Sequence, residues 1–164
     1  MKKNYILLDV NGTIGTDEPP FLENLLNPEN FVWIEKVQAH VNLSTLYRIK
    51  EMAEKYDAGV LWASLRGDDA LCLNKLINVD WGLLDLNAVI DRSNEWTKTA
   101  PVAKFANEHP NSTVIFCDDM LLVGGAFNEL ASQARNLKLI CPSTTSGLEK
   151  EDLEDIEDCL LGKR

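Results

Sequence analysis

Apolar side chains in this chain gather in short, nearly unbroken runs. Tyr5-Ile6-Leu7-Leu8, Val60-Leu61-Trp62-Ala63, Val114-Ile115-Phe116-Cys117 and Leu137 to Cys141 are the clearest. Runs without polar alternation suit strands covered on both faces, as in a parallel sheet sandwiched by helices. Asn87 to Ile90 reads as a further, shorter strand. Between the runs the apolar spacing becomes helical. Asn42 or Ser44 caps a helix to about Tyr56, with Leu43, Leu46, Ile49 and Ala53 as its stripe, and Asp57-Ala58-Gly59 stops it. Asp68 or Asp69 caps a helix through about Ile77, after which Trp81 and Leu83-Leu84 close a loop on the core. Thr99 and Pro101 open a helix to Glu108, and another follows Gly124-Gly125 to about Gln133. Leu148 to Leu161 is an acidic amphipathic helix whose carboxylates form a solvated face behind Leu153, Ile156 and Leu160.

Residues 15–41 show no clear period. Pro19-Pro20 interrupts regular structure, Phe21 to Leu26 forms one short helix, and Phe31 and Trp33 anchor the rest. The expectation is a small insertion or loop near the site entrance. Strands separated by helices predict an α/β, doubly wound sheet. With 164 residues, 1–164 is expected to be one domain.

Composition narrows the partners. Sixteen basic against twenty-six acidic side chains give a formal charge of -10, which opposes binding to a nucleic-acid backbone or an anionic membrane. The basic start meets Asp9 before any signal-length apolar segment, and no run of eighteen apolar residues occurs; a cytoplasmic protein is expected. Cys72, Cys117, Cys141 and Cys159 have no ligand spacing and read as reduced thiols. His40 and His109 receive surface or capping roles. The first strand lacks the glycine fingerprint of a dinucleotide site.

Candidate chemistry sits where the runs stop. Asp9 ends the first, followed by an Asn11-Gly12 turn able to aim backbone groups at a ligand; Ser64 ends the second; Asp118-Asp119 end the fourth-strand candidate at 114–117; Lys98 stands beside a helix start. Each alone is an ordinary strand-end or cap residue. Brought together, the carboxylates repel one another unless a cation and Lys98 compensate, and Mg2+ suits hard oxygen ligands while keeping waters that a phosphate can replace. Asp9 can then act as nucleophile, Ser64 and the backbone about Asn11 and Gly12 can hold phosphate oxygens, and Lys98 can neutralise developing charge.

Ile-Leu-Leu-Asp-Val-Asn-Gly-Thr at 6 to 13, Leu-Trp-Ala-Ser at 61 to 64, Lys98, and Ile-Phe-Cys-Asp-Asp at 115 to 119 resemble, in order, the four motifs of the haloacid-dehalogenase-like superfamily. The resemblance spans the whole chain. It implies a Rossmann-like sheet of order 5-4-1-2-3 and a magnesium-dependent phosphohydrolase acting on a phosphorylated substrate. In this reading Asp9 attacks phosphorus, and Asp9, the Asn11 backbone carbonyl, Asp118 and Asp119 hold Mg2+. Asp118 is the preferred direct ligand, with Asp119 acting through water or Lys98, the reverse order being the alternative. Ser64 and Lys98 bind phosphate. The Trp-Ala-Ser and Trp-Thr-Lys segments also resemble a small capless branch associated with RNA-repair proteins, whose RNA partner the negative charge disfavours. The departure is Asn11, where the phosphatase pattern has an aspartate that protonates the leaving group. Asparagine cannot exchange that proton, so turnover is expected to be slow or restricted to leaving groups that depart as stable anions. The alternatives are a non-catalytic phosphate-binding or regulatory protein, and a 2-haloacid dehalogenase using the same Asp9, which Lys98 and Asp118-Asp119 disfavour.

Overall fold

The computed structural model describes residues 3–87 and 98–164. In chain order the strands are β1 (Tyr5–Leu8), β2 (Gly15–Thr16), β3 (Phe31–Ile34), β4 (Ala39–Asn42), β5 (Gly59–Trp62), β6 (Gly82–Leu83), β7 (Val114–Cys117) and β8 (Leu137–Ile140). The α-helices are α1 (Phe21–Leu26), α2 (Leu43–Lys55), α3 (Asn74–Ile77), α4 (Thr99–Glu108), α5 (Ala126–Gln133) and α6 (Lys150–Leu160).

The main sheet is parallel, in the order β6-β5-β1-β7-β8. Numbered among themselves, its five strands run 5-4-1-2-3, the doubly wound, Rossmann-like order expected from the resemblance. β1 is central because its side chains serve both layers. Ile6 and Leu8 pack into a core with Ile49 and Met52 of α2 and Ile156 of α6. Leu7, one pleat away, faces a second core with Val102 and Ala106 of α4 and Leu130 of α5. A strand buried on both sides has no polar face, which is why its sequence does not alternate. The strand order reverses between β1 and β7, so the carboxyl ends of β1, β5 and β7 frame a crevice there.

Three local expectations change. Residues 15–41 are not irregular: β2, β4 and β3 form a separate antiparallel sheet in that order, pairing Gly15 with Val41 and Phe31 with Asn42. Its shortest strand has two residues, too few for a period to show. The segment expected as a helix from Asp68 or Asp69 is a 3-10 helix, Gly67–Leu73, leading into α3, and neither aspartate caps it through a side chain. The edge strand beside β5 is β6, at Gly82–Leu83. In the strand expected over 87–90, Asn87 lies in a turn and 88–90 fall outside the described residues.

Caps behave locally. Asn42, rather than Ser44, accepts from the Thr45 N–H at 3.2 Å and starts α2. Thr99 is already the first residue of α4 and caps nothing; its hydroxyl is buried without a partner. Among the described residues, no helix is long and apolar enough to cross a membrane, and the four cysteines are free.

Candidate functional site

The sheet ladder continues one residue beyond the strands and fixes the site backbone. The Asp9 N–H donates to the Cys117 carbonyl at 3.0 Å, the Ala63 N–H to the Leu8 carbonyl at 2.7 Å, and the Asp118 N–H to the Ile140 carbonyl at 3.1 Å. Asp9, Ser64 and Asp118 therefore emerge side by side at one edge. β5 is secured beneath: the buried Asn74 amide accepts from Trp62 Nε1 at 2.9 Å and donates to the Trp81 carbonyl at 2.8 Å.

Lys98, buried just ahead of α4, reaches between two of these strand ends. Its ammonium lies 2.8 Å from Asp9 Oδ1 and 2.6 Å from Asp118 Oδ2. The second oxygen of Asp118 accepts from the Met120 N–H at 2.8 Å, starting the 3-10 turn that follows. Asp119 points elsewhere. It lies against Gly12, whose φ of +77° completes the turn after β1 and whose missing Cβ leaves the space that the Asp119 carboxylate fills.

Asp9, Asp118 and Asp119 each offer an oxygen within 4.8 Å of the others. Lys98 does not balance them. Burial first, and the Asp9 charge second, push the Asp118 carboxyl up to about 6 in spite of Lys98. Burial and Asp9 likewise raise Asp119, against a hydrogen bond from Thr144. A compact set of hard oxygens with surplus negative charge suits a divalent cation.

A cavity of about 1060 Å³ opens over the cluster, lined among others by Asp9, Asn11, Gly12, Ser64, Lys98 and Asp119. Asp118 lies fully buried outside that lining. Six of the seven residues singled out from the sequence thus share one wall, and the seventh is held behind it by Lys98. The segment Thr16 to Phe21, leading into α1, forms part of the lip, together with Leu65 and Met120. His40 and His109 are engaged elsewhere, their Nδ1 atoms 2.9 Å and 2.8 Å from the carbonyls of Asp17 and Phe105.

Asn11 is held more firmly than a turn residue needs to be. Its Nδ2 donates to the Val37 carbonyl at 3.0 Å and its Oδ1 accepts from Arg66 Nε at 3.1 Å. Arg66 also lines the cavity, and its backbone N–H donates to Ser64 Oγ at 3.2 Å. Arg66 was not among the residues singled out from the sequence; its place two residues beyond the strand-end Ser64 was the available signal. No protein-family model, curated protein or solved structure matches this chain.

Proposed function

We propose that this protein is a magnesium-dependent phosphohydrolase of the haloacid-dehalogenase type that works through an aspartyl-phosphate on Asp9. The observation that carries this reading is the Asp9–Lys98–Asp118 bridge at the floor of an open cavity, with Asp119 beside it. A carboxylate at a parallel-strand end, oriented by a buried lysine, is a nucleophile with its charge partly balanced and one face toward the cavity.

Asp9, Asp118, Asp119 and the Asn11 carbonyl would hold Mg2+, which when bound supplies positive charge to the phosphoryl oxygens. Asp119 is the member of the pair that lines the cavity, whereas Asp118 lies behind it with both oxygens accepting hydrogen bonds. Ser64 and the backbone N–H groups of the Asn11-Gly12 turn orient the phosphate. Lys98 holds Asp9 in position as an Asp9 oxygen attacks phosphorus and the leaving-group oxygen departs with its bonding pair. Water then attacks the phosphorus of the aspartyl-phosphate, freeing Asp9, and the water's proton leaves on the released phosphate. Asn11 gives the departing oxygen no proton, so leaving groups stable as anions are favoured.

The test is magnesium-dependent phosphate release from acetyl phosphate and p-nitrophenyl phosphate by the intact chain and by Asp9→Asn. Release that vanishes in the variant supports the reading; equal release by a folded variant overturns it. A non-catalytic phosphate-binding protein is the second reading, favoured by the two hydrogen bonds that fix Asn11. It predicts phosphate binding without turnover on either substrate.

A further inference from the structure

Residue 11 and Arg66 form a unit whose chemistry points beyond a simple phosphate monoester. The Val37 carbonyl can only accept and the Arg66 guanidinium can only donate, so residue 11 must present one donor and one acceptor. An amide meets both demands; an ionised carboxylate would set an oxygen against the Val37 carbonyl. A second neutral amide, Gln38 Oε1, lies 3.4 Å from Arg66 Nη1. The arginine is thus positioned by uncharged acceptors. Among the described residues no carboxylate comes within ion-pair distance of it, although Asp17 and Glu18 share the same cavity wall. An aspartate at 11 would have neutralised the guanidinium; asparagine positions it and leaves its charge available.

We propose that Arg66 is a second anion-recognising group of this site, and that the substrate is a phosphoanhydride, whose departing group is itself a phosphate. This rests on the phosphohydrolase reading above. The guanidinium touches the side chain at the position where the phosphatase pattern places its acid, so it lies on the leaving-group side. As Asp9 attacks the terminal phosphorus, the P–O bond of the anhydride breaks and its electron pair stays on the departing phosphate. No proton is required for that departure. Arg66 shares the charge through its remaining N–H donors, a geometry matched to phosphate oxygens. Charge stabilisation by Arg66 thereby stands in for the missing proton transfer, and a monoester with an alkoxide leaving group gains little from it.

The test compares inorganic pyrophosphate with p-nitrophenyl phosphate in the intact chain, Arg66→Met and Arg66→Lys at saturating Mg2+, each variant checked for folding by thermal denaturation. The expected result is a fall in kcat/KM on pyrophosphate of at least thirtyfold in Arg66→Met, about the strength of one charge-assisted contact, with less than fivefold on the aryl ester and partial recovery in Arg66→Lys. Equal losses on both substrates, or no loss on either, overturn the proposal. A binding arm separates this from failure of the catalytic reading. Calorimetric titration with magnesium pyrophosphate and with magnesium phosphate should show at least tenfold tighter binding of pyrophosphate, an advantage lost in Arg66→Met, even if nothing turns over. Equal affinities in the intact chain overturn the Arg66 assignment, whereas the expected affinities without turnover overturn only the hydrolytic reading.

Discussion

The Asp119 carboxylate occupies the space that a side chain at Gly12 would need, so the turn after β1 and the acidic pair after β7 interlock. The φ of +77° at Gly12 independently disfavours any L side chain. Gly12→Ala should therefore cost about 2–4 kcal/mol, from left-handed backbone strain plus overpacking. It should also displace Asp119 and weaken divalent-cation binding. Urea denaturation and magnesium titration check the two parts; a variant as stable as the parent, with unchanged cation affinity, would contradict the interlock.

Asp118 contributes to the pH dependence. Its folded pKa of about 6 exceeds the ordinary 3.8. Between those values the folded chain binds more protons than the unfolded one, so this group makes the metal-free protein less stable as pH rises from 3.8 to about 6. Protons would compete with a divalent cation held by the same cluster. The rise in Tm on adding Mg2+ should be small at pH 5 and full at pH 7.5, where a hundredfold excess over Kd stabilises by about 2.7 kcal/mol. An equal rise at both values would exclude Asp118 from cation binding.

Placing an aspartate at position 11 should not supply an acid by itself. Arg66 Nε, 3.1 Å from the present Oδ1, would hold the new carboxylate ionised, while the Val37 carbonyl would face it without a donor between. Asn11→Asp is expected to raise kcat/KM on an alkyl phosphate less than about tenfold, short of the two to four powers of ten that acid–base catalysis supplies. Adding Arg66→Met should enlarge the gain on the alkyl substrate more than on an aryl phosphate. Steady-state kinetics of the single and double variants decide it, and a full gain from the single change would show that Arg66 exerts no such hold.

Asn74 carries Ser64 at one remove. Asn74→Ala would strand a buried Trp62 N–H and the Trp81 carbonyl. Each buried group left unsatisfied costs about 1–3 kcal/mol, so a total destabilisation of about 2–6 kcal/mol is expected in chemical denaturation. Loss of the tie between β5 and the residues leading into β6 should also raise KM for a phosphate substrate more than it lowers kcat. A stability change under 1 kcal/mol would remove Asn74 from this role.

The central layer was legible because two-sided burial writes itself as uninterrupted apolar runs: β1, β5, β7 and β8 each coincide with one. Their polar endings, Asp9, Ser64 and Asp118-Asp119, were equally plain, since a charge directly after such a run must come out at the sheet edge. What was hidden depends on contacts distant in sequence or on elements too short to have a period. β2 and β6 have two residues each, and nothing local distinguishes Gly82–Leu83 from a loop. The bond from Arg66 to Asn11 spans 55 positions. Asn11 could be recognised from sequence as a departure, but the neighbours that demand an amide there, Val37 and Arg66, come from two other segments of the chain.

The central place of β1 also governs how the chain is made. Its two neighbours are drawn from 59–62 and 114–117, so the strand carrying Asp9 emerges from the ribosome long before its second partner. At roughly 5–20 residues per second, the interval between Tyr5 and Val114 is about 5–20 s. Until β7 has been made, the edge of β1 that pairs with it has no partner strand. Nascent chains stalled before Val114 should remain protease-sensitive, and protection of β1 should appear only once β7 has cleared the exit tunnel.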